Sequence, residues 1–123
     1  MSGGTQALAD AVLRGAQHRD ISDVEVRVRR AFDAGSEDLA WADGLVLGAP
    51  ENFGYMAGAV KDFFDRTFYP MQGRLEGFPY AMCIKAGNDG TGAVNAIRRI
   101  AKGFPWREVH EPVICVGQVS DEV

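Results

Sequence analysis

Hydrophobic patterning that switches between helix and strand predicts an α/β fold, a mostly parallel sheet with helices on both faces. Three observations carry that prediction. The runs Gly44–Gly48 and Tyr80–Ile84 are apolar throughout and too short for surface helices, as strands buried on both faces are. The segments Gly58–Phe68 and Thr91–Lys102 repeat apolar residues at helical spacing. Glycine and proline punctuate the junctions between them. At 123 residues the chain forms one domain, residues 1–123, large enough to bury about two-thirds of its unfolded surface.

The elements follow in order. Thr5–Ala16 reads as a helix, because Leu8, Ala11, Val12 and Gly15 fall on one face. Val24, Val26 and Val28 alternate with Glu25, Arg27 and Arg29, which predicts a half-exposed edge strand. Ser36 is placed to cap a short helix through Ala42, with Glu37 and Asp38 favourable in its first turn. The strand Gly44–Gly48 comes next. In Gly58–Phe68, Val60, Phe63, Phe64, Thr67 and Phe68 share one face, while Lys61, Asp62, Asp65 and Arg66 take the other. Pro70 is expected to stop this helix. The strand Tyr80–Ile84, a glycine-rich turn over Gly87–Gly92 and the helix Thr91–Lys102 follow. Val94, Ile97, Ile100 and Ala101 point inward there, and Gly103 is expected just past the end. Pro112–Gly117 is the last strand.

Composition narrows the function. Apolar residues are 46% and charged residues 24% of the chain, the balance of a globular protein. A net charge of −4 argues against nucleic acid, which selects basic surfaces. No apolar run approaches the length of a membrane span, and no basic, apolar leader opens the sequence, so a cytoplasmic protein is expected. Cys83 and Cys115 lie in separate apolar runs and read as buried thiols in a reducing compartment. His18 and His110 have no acidic or nucleophilic partner at useful spacing and read as surface residues. Asp62 and Asp65 read as a solvated face, and Trp41 and Trp106 as core or rim anchors. No general acid, base, nucleophile or metal set is identifiable, which suits a protein whose cofactor carries the chemistry.

In parallel sheets, ligands bind beyond the carboxyl ends of the strands. Two loops stand there. Ala49–Met56 contains Pro50, Glu51, Asn52, Phe53, Gly54 and Tyr55: backbone and flat side chains able to lie against a heterocycle, or an ordinary strand-to-helix turn with incidental aromatics. Composition leaves both open. Ala86–Gly92 could meet the same ligand from the other side, or could serve as a capping turn through Asp89 or Thr91. The start of the chain, Ser2, Gly3, Gly4, Thr5 and Gln6, combines hydroxyls, glycines and a helix N-terminus, the parts of a phosphate cradle, and is also what a disordered start looks like.

The run DGLVLGAPENFGYMAGAVKDFFDRTFYP resembles flavodoxin-family proteins and NAD(P)H-dependent FMN reductases. Their strand ends in a small residue and proline, followed by an aromatic-Gly-x-Met loop and a helix with a Phe-Asp-Arg centre. The later KAGNDGTGAV resembles the second flavin-edge loop, so the resemblance covers nearly the whole chain. It implies a flavodoxin-like three-layer α/β/α fold and FMN bound without a covalent link. By that analogy, Ser2, Gly3, Gly4, Thr5 and Gln6 hold the phosphate. Pro50, Glu51, Asn52, Phe53 and Gly54 line the ring, and Gly87, Asn88 and Asp89 close its other side.

The resemblance also implies elements that the chain lacks. The usual first strand, central in a 2-1-3-4-5 sheet, would precede the phosphate loop, where only Met1 stands. The usual last helix would begin at Ser120–Val123, which look like its cap. A fragment, a strand supplied by another subunit, and a sheet closed around the gap are three ways to account for this. The implied function is an oxidoreductase passing electrons from NAD(P)H to a quinone or similar acceptor. The alternatives are a flavodoxin-type electron carrier without its own substrate, or a non-catalytic remnant that does not hold FMN. Family relatives are often dimers, and open sheet edges favour association of copies.

Overall fold

The computed structural model of the protein describes residues 3–19, 21–87 and 89–116. Helix α1 (Gly3–Ala16) and the short α2 (Ser36–Trp41) precede strand β1 (Leu45–Asn52). Then come β2 (Tyr55–Met56), α3 (Gly58–Met71), β3 (Pro79–Ala86), α4 (Thr91–Gly103), β4 (Arg107–Glu108) and β5 (Val113–Val116). Strand β3 lies at the centre of the sheet. It pairs in parallel with β1 along one edge, from Leu45↔Tyr80 to Pro50↔Lys85. Along the other edge it pairs in parallel with β4 at its start and β5 at its end. Among the described residues, only the β1–β2 pair is antiparallel.

Strand alternation sorts the sheet into two faces. Leu47, Ala49, Tyr80, Met82 and Ile84 turn toward α3 and α4 and join the main core with Val60, Phe63, Phe64, Val94, Ile97 and Ala101. On the other face α1 lies against β1 and β3, and Cys83 and Cys115 are buried and free of any disulfide, as expected. Burial pushes the Cys83 thiol up. This is the three-layer α/β/α arrangement expected of a flavodoxin-like fold. Among the described residues no helix is long and apolar enough to cross a membrane.

An aromatic cluster closes the end of the sheet away from the two loops. Trp106 stacks at 4.5 Å from Phe104, and both lie within 6 Å of the Phe64 ring, at 5.8 and 5.9 Å. Tyr80 packs at 5.7 Å from Trp106 and donates its hydroxyl to Glu108, whose carboxylate accepts two bonds at 2.7 Å from Arg98. Those Arg98 bonds hold the Glu108 carboxyl below its usual range. Burial, reinforced by the Glu108 charge, pushes the Tyr80 phenol up to about 12. The folded state therefore resists ionising Tyr80. Its contribution is fully present below the unfolded phenol value near about 10 and is lost as pH rises through about 12, on the order of 2 kcal/mol. Alkaline unfolding followed against pH should show this loss, and Tyr80→Phe should remove it.

Several expectations need correction. Val24–Val28 form no strand. Val24, Val26 and Val28 are exposed, and no strand among the described residues offers a ladder for their backbone. The segment is held by its charged face instead: Arg27 lies 4.0 Å over the Trp41 ring and 3.3 Å from Asp38, and Arg29 lies 3.5 Å from Asp38. Arg66 of α3 ties down the next stretch, donating to the carbonyls of Ala34 at 2.7 Å and Ala31 at 2.8 Å. Ser36 is not the cap of α2. Gly35 is, and its N–H donates to the Asp38 carboxylate at 3.1 Å. Strand β1 is not fully buried on both faces as expected, since Val46 and Gly48 are exposed. Its other edge carries no strand along Leu45–Pro50 among the described residues. Pro70 does not stop α3. It sits in the last turn, where one lost hydrogen bond costs least, and the helix ends at Met71. Gly103 is the last residue of α4 rather than the first beyond it. Ser120–Val123, read as the cap of a last helix, lie outside the described residues.

Candidate functional site

The loop Ala49–Met56 is largely strand and hairpin. Strand β1 runs on through Pro50, Glu51 and Asn52, turns at Phe53-Gly54, and returns as Tyr55–Met56, with Glu51↔Met56 and Asn52↔Tyr55 in register. A two-residue turn that follows the twist of its strands needs left-handed backbone at both positions. Phe53 has φ 50° and Gly54 φ 71°. Glycine takes this conformation freely, whereas a side chain there costs about 1 kcal/mol. Phe53 bears that cost with its ring entirely exposed, so no core packing offsets it.

The second loop ends on α4. Asn88 lies outside the described residues; Gly87 and Asp89 flank it, both exposed. The Asp89 carboxylate accepts from the Thr91 amide at 3.0 Å and from its hydroxyl at 2.9 Å, and these bonds hold its carboxyl below the usual range. Neither Asp89 nor Thr91, the residues expected from the sequence, is the cap residue of α4; Gly90 is, and Asp89 instead closes a tight turn onto Thr91 just ahead of it.

The two loops meet directly. A Cβ built on Gly92, in the first turn of α4, would fall into the backbone carbonyl of Gly54. Alongside, the Glu51 carboxylate accepts from the amide of Ala93 at 3.2 Å. Parallel pairing explains the juxtaposition, because Pro50 stands opposite Lys85 and the strands leave the sheet side by side. Gly92 was not among the expected site residues. A glycine inside a helix, where alanine is favoured by about 1 kcal/mol, was the available signal for it.

The expected phosphate residues lie elsewhere in the chain. Gly3, Gly4, Thr5 and Gln6 form the first turn of α1, a 14-residue helix on the other face of the sheet. The Gln6 amide is bonded at 3.0 Å to Asp10 of its own helix. Ser2 lies outside the described residues. A helix start of this kind carries free N–H groups suited to an anion.

These parts suit the expected flavin. The ring side offers an exposed flat side chain and bare backbone at Gly54 and Gly87, where an added Cβ would meet nothing. The donors at the start of α4 are partly taken, at Thr91 and Ala93. Among the described residues no group of three or more His, Cys, Asp or Glu is placed to hold a metal ion.

One prediction separates the cost of Phe53 from its use. Asparagine tolerates left-handed backbone, so Phe53→Asn should stabilise the protein by about 0.5–1 kcal/mol, seen as a rise of about 3 °C in thermal unfolding. The same variant should weaken flavin binding.

Comparison with known proteins agrees with this architecture. The family model of NADPH-dependent FMN reductase matches residues 8–121. A flavodoxin of Aquifex aeolicus (strain VF5) is 33% identical over 96 residues, covering 78% of this chain and 50% of the relative. An NAD(P)H dehydrogenase (quinone) of Acidithiobacillus ferrooxidans is 34% identical over 96 residues, covering 61% of this chain and 47% of the relative. The chain thus spans about half the length of these curated relatives. With the match running through both loops and all five strands, the chain belongs to the NADPH-dependent FMN reductase family, within the flavodoxin-like proteins.

Proposed function

We propose that this chain holds FMN and belongs to an oxidoreductase passing electrons from NAD(P)H to a quinone or similar acceptor. The observation that carries the reading is the Asn52–Tyr55 hairpin, which holds an unpacked Phe53 in left-handed backbone against the start of α4. Strain with no compensating packing gathers at ligand sites. FMN, when bound, supplies the two-electron redox chemistry. In this reading Pro50, Glu51, Asn52, Phe53 and Gly54 bound the ring on one side, and Gly87, Asn88 and Asp89 on the other. Ser2, Gly3, Gly4, Thr5 and Gln6 present amide and hydroxyl donors to the phosphate. The hairpin shields one edge of the ring from water, and Phe53 offers it a flat apolar face. The relative named NAD(P)H dehydrogenase (quinone) supports the acceptor class. Buried cysteines outside any disulfide accord with the cytoplasm, and the open edge of β1 with association of copies.

A second reading, an electron carrier without its own substrate, is favoured by the flavodoxin relative. One experiment tests both. The protein is loaded with FMN, freed of excess by gel filtration, and mixed with NADPH and a soluble quinone. Bleaching of the retained flavin by NADPH, with recovery on adding quinone, supports the reductase. A retained flavin untouched by NADPH supports the carrier. Colourless protein after loading contradicts both.

A further inference from the structure

The Glu51 carboxylate has a role that neither ring-lining nor ordinary strand pairing describes. Helix α4 begins at Thr91, and its cap residue is Gly90, which has φ 78° and no side chain. The first N–H groups of a helix have no partner within it. Asp89 serves the Thr91 amide, and among the described residues no neighbour on the local chain serves Ala93, whose residue is wholly buried. Its partner comes from 42 residues away, the Glu51 carboxylate at 3.2 Å. A negative group at a helix start also suits the helix dipole. The same carboxylate sits on β1 one residue ahead of Asn52, which closes the hairpin turn with Tyr55, and that turn abuts Gly92 through Gly54. One side chain therefore caps α4 and fastens the hairpin to it.

We propose that Glu51 is a positioning residue that latches the β1–β2 hairpin to the start of α4 and so sets the spacing between the two flavin-facing loops. The proposal rests on the FMN reading for its consequence, but the latch exists in the flavin-free protein and is measured there. Without the carboxylate, the Ala93 amide becomes a buried donor lacking a partner, which helix start and hairpin relieve by moving apart. Glutamine keeps an accepting oxygen at the same position; alanine does not.

The test uses the full chain as wild type, Glu51→Gln and Glu51→Ala. In flavin-free protein, amide exchange is followed at Ala93 and Met56, with Ile97 as a core reference. In parallel, each protein is titrated with FMN. Alanine should speed exchange at Ala93 and Met56 about tenfold relative to Ile97 and weaken FMN about tenfold, the size of one lost cap. Glutamine should restore both to near wild-type values. Unchanged exchange at Ala93 in Glu51→Ala would overturn the latch. Faster exchange with undiminished FMN affinity would overturn the positioning role. Loss of affinity in Glu51→Gln as large as in Glu51→Ala, with normal exchange, would mean that the carboxylate acts on the ring itself, and would also overturn it. Wild-type protein that takes up no FMN would sink the functional reading and the positioning role with it, while the exchange result still decides whether the latch exists.

Discussion

Replacing Gly92 by alanine should loosen the protein and abolish its flavin site together. Propensity points the other way, since alanine gains about 1 kcal/mol over glycine inside a helix. The contact decides. A Cβ on Gly92 meets the carbonyl of Gly54, a backbone atom of a tight turn that cannot swing aside as a side chain would. Forced overpacking of this kind costs about 3 kcal/mol, for a net loss of about 2. In urea unfolding the midpoint should fall by about 1 M with an unchanged slope. FMN affinity should drop far more than stability does, because the hairpin must lift away from α4. Gly87→Ala supplies the contrast. An added Cβ there meets no atom within 4 Å, so its stability should stay within about 0.5 kcal/mol of wild type.

Phe64→Ala should bring the largest loss of stability, by a different route. Phe64 is 1% exposed and lies between Phe63, Phe104 and Trp106, at 5.8, 5.9 and 5.8 Å. Removing a buried ring costs about 3–5 kcal/mol, against a total of about 5–15 for a domain. Chemical unfolding should place this variant at the margin of stability, while Phe64→Leu, which keeps most of the volume, should lose about 1.5 kcal/mol. The ring neighbours of Phe64 are Phe63, Phe104 and Trp106, none of them in either loop, so the folded fraction of either variant should bind FMN as wild type does. The two glycine and phenylalanine series thus separate damage to the site from damage to the core.

The helices and the two longest strands were legible in the sequence because their signals are local. Val60, Phe63, Phe64 and Thr67 recur at helical spacing, and that face is buried. Tyr80–Ile84 is apolar throughout, and it became the sheet's centre. Val24–Val28 misled for a physical reason. Alternation shows that a segment could be a strand, but a strand also needs a neighbour to bond with, and none lies beside it among the described residues. Glu51 and Gly92 were only half legible. The family resemblance pointed to the loop that holds Glu51, but its hydrogen bond to Ala93 spans 42 positions. No periodicity encodes such a pairing. It follows from parallel register, which places the ends of β1 and β3 together. Asp89 was open between capping and ligand binding; Gly90 takes the cap position, and Asp89 bonds to Thr91 beside it.

The central claim is that two loops on adjacent strand ends, with the first turn of α1, hold FMN. Equilibrium titration of flavin-free protein against FMN and against riboflavin, read by quenching of flavin fluorescence, tests it most directly. Saturable one-to-one quenching by FMN, with weaker binding of riboflavin because it brings no phosphate to the α1 donors, is the predicted result. No saturable quenching by FMN would contradict the claim outright, and equal affinity for the two flavins would contradict the part assigned to Gly3–Gln6.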